Sequence, residues 1–289
     1  MIPVNPVPFE EGFQLKSVML HEVTRSAFEE YLKQNPDPIA LIPLGSIEQH
    51  GPHLPLGTDS LIAVELCRKT AERTGSFVVQ PCWPGYSPHH MAFAGTITFR
   101  HETLVNILLD TFESLAHHGV RKIMVVNCHG GNAQIMAYAI RIGKRETGAC
   151  IASPVMNPRS AEEAARTAMK YLDMHSGAGE TGMALALFPE LVEMQRVEGW
   201  KPTTHFIPGL EKLADPKRDD VEIAAQIVMS YINDTHELTS SGIYGFRDPN
   251  DADVESSRKR AEERIEHLVK YIELWKTVPS PGECCCKEE

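Results

Sequence analysis

Short apolar segments alternate with segments of helical periodicity along most of this chain. Four runs of strand length, at residues 39–44, 77–80, 122–126 and 149–152, are apolar apart from Gln80 and Lys122 at their ends. Continuous apolar strands are typical of a parallel sheet that is covered on both faces. Strands that alternate with helices are typical of βαβ units. We therefore predict an α/β fold, a three-layer α/β/α sandwich with a mostly parallel central sheet.

Between and after these runs, apolar residues recur every three or four positions, which predicts amphipathic helices. The three clearest series are Leu104, Leu108, Phe112 and Leu115, then Ile135, Met136, Ala139 and Ile140, and last Ala261, Ile265, Leu268, Ile272 and Trp275. The last series predicts a long C-terminal helix. No repeat or linker divides the chain, so we predict a single domain over 1–289 that ends in a disordered tail, 277–289.

Composition excludes several function classes. The chain has 289 residues, 42% of them hydrophobic, and a net charge of −11 without a basic cluster, which argues against nucleic-acid binding. No apolar stretch approaches the roughly 18 residues that a membrane helix needs. The start of the chain lacks the pattern of a signal peptide. The scattered cysteines, without a CxxC pair, suit a reducing compartment, so we expect a cytoplasmic protein with a small-molecule substrate.

The loop after the first predicted strand carries a high density of metal-ligating side chains. Glu48, His50, His53 and Asp59 fall within 12 residues, among glycines and prolines that keep the loop irregular. Mixed sets of histidine and carboxylate ligands suit Zn²⁺, Mn²⁺ or Fe²⁺. Asp59 alone could simply cap the next helix, and a single histidine could be a buried polar residue. The four residues together favour a metal site.

Two further clusters complete this picture. His129 follows the strand 122–126, and ligands of open parallel sheets bind beyond the carboxyl ends of the strands, so we expect His129 near Glu48. The adjacent Gly130 and Gly131 could instead hold a phosphate at a helix N-terminus, which is weaker without a nearby lysine.

The third cluster, 175–182, contains His175 and Glu180 and leads into an apolar helix. Glu180 could bind a metal ion or only stabilise the N-terminus of that helix. His175 could be a ligand, a proton donor or a bystander.

At these residues the sequence resembles the creatininase family of metal-dependent hydrolases. Segment 45–59 is similar to the signature loop of that family, and segments 86–90, 95–97, 127–132 and 175–181 support the resemblance. It extends from about residue 18 to about residue 235. The resemblance implies an α/β/α sandwich with two divalent metal ions per chain, zinc, manganese or iron, and a homo-oligomer that is often a hexameric ring.

The resemblance also implies roles for individual residues. Glu48, Asp59 and His129 would bind one metal ion, and His50 with a bridging Asp59 would bind the other. In the enzyme that names the family, a glutamate two residues past the histidine of the second cluster completes the second site. Here that position is Gly131, and Glu180 is the natural substitute.

Activities differ within the family and include opening of the creatinine ring, formamide cleavage, peptide cleavage and hydrolysis of cyclic keto-inositols. Tyr171 and Leu172 stand where we associate an aromatic and an acidic residue with binding of creatinine, so creatinine is not the expected substrate.

These observations predict a two-metal hydrolase that cleaves a C–N bond in a small linear or cyclic amide through a metal-activated hydroxide. His175 would protonate the leaving nitrogen, and His90 would contact the substrate or pack behind the site. The alternative is C–C ring opening of a cyclic keto-inositol. A non-catalytic structural metal site is less consistent with the sequence, because such sites favour cysteine ligands and no cysteine pair is present.

Overall fold

The computed structural model describes residues 15–154, 174–201, 209–213, 218–245 and 247–280. Within them lies a four-stranded parallel sheet with the strand order β2-β1-β3-β4. The strands are β1 (Ile39–Leu44), β2 (Phe77–Val78), β3 (Lys122–Asn127) and β4 (Cys150–Ala152). The predicted α/β class with a parallel sheet is therefore confirmed.

Helices connect successive strands and cover the sheet. The described α-helices are α1 (Arg25–Gln34), α2 (Thr58–Thr74), α3 (His101–His117), α4 (Ala133–Thr147), α5 (Ala178–Leu187), α6 (Val221–Tyr231) and α7 (Val254–Lys276). Helix α2 joins β1 to β2, α3 joins β2 to β3, and α4 joins β3 to β4, so each connection is a βαβ unit.

Alternate residues of each strand face opposite sides of the sheet. On one side Ile42 and Val125 pack with α3 and α4, and on the other side Leu41 and Met124 pack with α2 and α7. Because both faces are covered by helices, all six residues of β1 are buried. This arrangement is the predicted three-layer sandwich.

Strand β2 is shorter than the predicted run 77–80. The N–H of Val79 still donates to the carbonyl of Leu41 at 2.8 Å, but the chain then leaves the sheet through Pro81 and Pro84. A proline has no N–H to donate to a neighbouring strand, which ends the pairing.

Some predictions fall on parts of the chain without a description. Residues Tyr171 and Leu172 lie outside the described residues, as does the predicted tail from 281 onward. Thr277 and Val278 donate their backbone N–H groups to carbonyls in the last turn of α7. Among the described residues, no helix is long and apolar enough to cross a membrane.

The sheet places two loops side by side at its carboxyl edge. Leu44, at the end of β1, is the register partner of Asn127, at the end of β3. The N–H of Cys128 then donates to the carbonyl of Leu44 at 2.9 Å, so the two chains leave the sheet together. The predicted clusters after β1 and β3 therefore meet at this edge.

Candidate metal centre

The loop between β1 and α2 is held tightly against its surroundings. A Cβ atom at Gly45 would lie 2.3 Å from the backbone nitrogen of Ser60, so only glycine allows this approach of loop and helix. The hydroxyl of Ser60 donates to the carbonyls of Ser46 and Trp83, and the amide of Asn132 donates to the carbonyl of Gly45 at 2.8 Å. These contacts fix the direction in which the loop presents its side chains.

Two carboxylates, Glu48 and Asp59, are buried together at the carboxyl edge of the sheet. Burial by itself raises the pKa of each acid, but neighbouring histidines outweigh this effect. The pKa of Glu48 falls to about 2, chiefly through His129, although Asp59 opposes that shift. The pKa of Asp59 is also lowered, through His50 and His129. Both acids are therefore anionic at neutral pH.

His129 presents a lone pair to these acids. Its Nε2 lies 3.0 Å from the carbonyl oxygen of Tyr86, which can only accept, so Nε2 carries the proton of the neutral ring. Its Nδ1 lies 3.3 Å from Glu48 Oε2 and 3.0 Å from Asp59 Oδ2.

His50 repeats this arrangement with its nitrogens exchanged. Nδ1 lies 3.2 Å from the carbonyl oxygen of Glu48 and donates to it. Nε2 lies 3.3 Å from Asp59 Oδ1 and 3.8 Å from Glu180 Oε2. Among the described residues, neither His50 Nε2 nor Glu48 Oε2 has a hydrogen-bond partner, although both atoms are buried.

Lone pairs that face carboxylate oxygens repel them unless a cation lies between. Without a metal ion, protons must supply that charge. Burial lowers the pKa of both histidines, but the carboxylates outweigh it and raise the pKa of His50 to about 9 and of His129 to about 10. A histidine anchored by one nitrogen on a carbonyl, with the other directed at acids, has the arrangement of a metal ligand. The residues present therefore fit a divalent metal ion.

Glu180 lies in the first turn of α5, with its Oε2 accepting from the backbone N–H of Ser176 at 2.6 Å. Burial and the nearby Asp59 carboxylate raise the pKa of Glu180 to about 7, against the effect of His50. A group with such a pKa changes charge readily when a cation arrives.

Gly131 cannot carry a side chain in this backbone. A Cβ atom there would lie 2.3 Å from the carbonyl oxygen of Tyr86 and 2.5 Å from His129 Nε2. A glutamate at this position would displace the carbonyl that anchors His129. The acid that completes the second metal site must therefore come from another segment, and Glu180 lies close enough to His50 to supply it.

The ligand atoms form three groups, each with all its atoms within 4.8 Å of one another. The groups are Glu48, Asp59 and His129, then His50, Asp59 and Glu180, and third Glu48, His50 and His175. The structure thus brings together the five residues that the sequence predicted as ligands. His53, the fourth polar residue of the loop, instead pairs through Nε2 with the hydroxyl of Thr181 at 2.8 Å.

His175 is buried at the centre of the site. Its backbone pairs with that of Tyr244 in an isolated antiparallel bridge, and the two rings stack with centroids 5.6 Å apart. Its Nε2 donates to the carbonyl of Gln49 at 2.7 Å, and Nδ1 lies 3.9 Å from Glu48 Oε1. Burial, together with His50 and His90, holds the pKa of His175 well below its usual value.

His90 is also buried, on the same side of Glu48. Its Nε2 lies 3.5 Å from Glu48 Oε1, while Nδ1 faces Gln49 and Thr235. Burial lowers the pKa of His90 to about 4, so the ring is neutral at neutral pH.

A cavity of about 570 Å³ opens beside these groups. Part of its wall comes from the segment 232–235 with Leu238 and Tyr244, none of which was predicted from the sequence. The one local signal was Asp234 with Glu237, a capping box that predicts the start of a helical turn but no ligand.

A parallel α/β sheet with buried histidines and carboxylates beside a cavity at its carboxyl edge is the arrangement of a metal-dependent enzyme of the α/β class. The protein-family model "Creatininase: Creatinine amidohydrolase" matches residues 21–272. The chain belongs to the creatininase family.

Individual relatives agree with this assignment. The creatinine amidohydrolase of Pseudomonas putida is 29% identical over 220 residues, which cover 70% of this chain and 84% of that protein. The mycofactocin precursor peptide peptidase of Mycobacterium ulcerans (strain Agy99) is 31% identical over 258 residues, covering 84% and 87%. The solved structure "Creatininase Mn" has the same fold, with a TM-score of 0.69, 23% identity and coverage of 90% and 99%.

Proposed function

We propose that this protein uses two divalent metal ions to hydrolyse a C–N bond in a small linear or cyclic amide. One ion would be held by Glu48, Asp59 and His129, and the other by His50, Glu180 and a bridging Asp59. The observation that carries the proposal is the orientation of His50 and His129. Each directs one ring nitrogen at buried carboxylates while its other nitrogen donates to a backbone carbonyl, so a metal ion could take the place of the proton that the acids otherwise hold there.

The charge of the centre supports two divalent ions. Glu48, Asp59 and Glu180 supply three negative charges when ionised, which leaves one positive charge for an anionic nucleophile. When bound, such ions supply Lewis acidity toward a carbonyl oxygen and make water acidic enough to ionise near neutral pH. Zinc, manganese and iron all accept mixed histidine and carboxylate ligands.

In this proposal His175 transfers the proton that the leaving nitrogen needs. Its Nε2–H is fixed on the carbonyl of Gln49, so Nδ1 is the nitrogen that gains and loses the proton. Nδ1 lies beside Glu48 and lines the cavity with it, within reach of a substrate there. His90 lines the same cavity and is the proposed substrate contact.

The test is an activity panel on purified, metal-loaded protein with cyclic amides, linear formamides, short peptides and cyclic keto-inositols. The proposal predicts release of an amine or a free amino group from at least one nitrogen substrate. Ring opening of a keto-inositol without reaction of any amide would favour the C–C alternative. A matched preparation of Asp59→Asn should be inactive throughout, which excludes a contaminating hydrolase.

We also propose that the protein works in the cytoplasm as a homohexamer. In the described part of the chain, Cys67, Cys82, Cys128 and Cys150 are free, which suits a reducing compartment. Large apolar side chains, including Trp83, are exposed on the surface and could be covered by other copies of the chain. Light scattering after size exclusion should give a mass near six times 32.2 kDa, and a monomer would contradict the assembly.

A further inference from the structure

Gln49 stands between the proposed ligands Glu48 and His50, and its side chain is almost completely buried. Its Oε1 accepts from the backbone N–H of Gly51 at 3.0 Å, and its Nε2 donates to the carbonyl of Gly242 at 3.1 Å. A backbone N–H can only donate and a backbone carbonyl can only accept, so these partners fix which end of the amide carries the hydrogens.

The second hydrogen of Gln49 Nε2 determines the protonation of His90. This nitrogen lies 2.9 Å from His90 Nδ1, and the hydroxyl of Thr235 lies 3.0 Å from the same Nδ1. Because the amide nitrogen is a donor only, His90 Nδ1 must accept. The proton of the neutral ring is therefore on Nε2, the nitrogen that lies 3.5 Å from Glu48 Oε1.

The backbone of the same residue determines the protonation of His175. The carbonyl of Gln49 accepts from His175 Nε2 at 2.7 Å, which leaves Nδ1 unprotonated. That nitrogen lies 3.9 Å from the same carboxylate oxygen, Glu48 Oε1. Gln49 therefore orients both rings around Glu48. His90 presents its N–H to the carboxylate, and His175 presents a lone pair.

We propose that Gln49 is a positioning residue that sets the tautomers of His90 and His175. His90 with its proton on Nε2 attracts Glu48 and holds the carboxylate in place, and His175 keeps Nδ1 free to accept a proton. In the opposite tautomer, His90 would direct a lone pair at the carboxylate and repel it. The proposal rests on the proposed function only for the roles of Glu48 and His175, since the tautomers themselves are a property of the protein.

Gln49→Glu and Gln49→Met separate this role from packing. A carboxylate at position 49 accepts, so it would draw the proton of His90 to Nδ1 and turn a lone pair toward Glu48. Methionine has a similar shape and no donor, and the Thr235 hydroxyl can still donate to His90 Nδ1. We expect kcat of the metal-saturated enzyme to fall more for Gln49→Glu, by roughly 10- to 100-fold, than for Gln49→Met. A packing role predicts the opposite order, because only glutamate can still accept from Gly51.

Neutron diffraction of wild-type crystals tests the tautomers without reference to activity, whether or not either variant folds. The expected result is deuterium on Nε2 of both His90 and His175. Deuterium on His90 Nδ1, or equal activity of the two variants, would overturn the inference. Gln195→Glu, on the exposed surface, is the matched control and should keep kcat within about twofold. Inactivity of the wild-type protein toward every amide, with both tautomers as expected, would refute only the proposed function.

Discussion

At the scale of single residues, the histidines of the centre differ in which ring nitrogen donates to the protein and which one faces an acid. His50, His129 and His175 each donate one N–H to a backbone carbonyl and direct the other nitrogen at an acid. His90 is different, since its Nδ1 accepts and its Nε2–H faces Glu48. Sequence spacing identifies histidines but cannot show which nitrogen is anchored, because the carbonyls that anchor His129 and His175 come from distant segments.

His175 provides the first prediction. Because its proposed role is proton transfer, His175→Ala should lower kcat by roughly 10²- to 10⁴-fold while metal content stays near the wild-type value. A substrate whose leaving group departs unprotonated should recover part of the rate. The measurement is kcat and metal content in the same preparation, with His117→Ala, on the exposed end of α3, as the control. Loss of metal together with activity would instead make His175 a ligand, as its group with Glu48 and His50 allows.

Glu180 provides the second prediction. If it completes the second site, Glu180→Gln should retain the fold but lose about one of two bound ions, since a neutral amide is a poorer ligand for a divalent cation. Adding Gly131→Glu to this variant should not restore the ion, because a side chain at 131 collides with the carbonyl of Tyr86. If Glu180→Gln still binds two metal ions, Glu180 only caps the helix and is not a ligand. Recovery in the double variant would show that the backbone near 131 can move.

At the scale of secondary-structure elements, β1 and β3 were predictable because each contains a run of consecutive apolar residues, Ile39–Leu44 in β1 and Ile123–Val126 in β3. The second strand was predicted too long, since apolar character continues past Val78 while pairing stops before Pro81. The wall of the cavity at 232–238 was not predictable, because its residues are brought to the site only by the fold.

Buried Lys122 ties the amino end of β3 to Asp37, which precedes β1, and to the end of α7. Lys122 is buried, and its Nζ donates to Asp37 at 2.6 Å and to the carbonyls of Trp275 and Val278. Burial raises the pKa of Asp37, but its hydrogen bonds from Lys122 and Ser280 outweigh that effect and lower it overall. The ionised form of Asp37 therefore stabilises the folded state.

This pair provides the third prediction. Asp37→Asn should lower the free energy of unfolding by about 1–3 kcal/mol at neutral pH, since a buried ammonium loses its charged partner. A lowered pKa means that the contribution is present above about pH 4, the unfolded value, and is lost as pH falls through the folded value. Urea unfolding from pH 7 down to pH 3 should show that the difference in unfolding free energy between wild type and variant becomes smaller. A difference in unfolding free energy that stays constant with pH would contradict the charge assigned to Asp37. The control Asp110→Asn, on the surface, should not differ from wild type at any pH.

At the scale of the whole molecule, the fold brings three distant segments to one edge of the sheet. The loop after β1, the turn after β3 and the start of α5 meet there, and together they hold Glu48, His129 and Glu180. Parallel strand order predicted the first two, because neighbouring strands deliver their carboxyl ends to the same edge. The place of Glu180 was predictable only by resemblance, since the chain between β4 and α5 gives no signal of its path.

The central claim is a two-metal centre that shares Asp59, and its most direct test is the metal content of the whole protein. Elemental analysis of purified wild-type chain, after loading and removal of free metal, should find about two divalent ions per chain. Asp59→Asn should lower occupancy at both sites, whereas His50→Ala should mainly empty one. A wild-type protein that saturates at one ion with full activity would contradict the account.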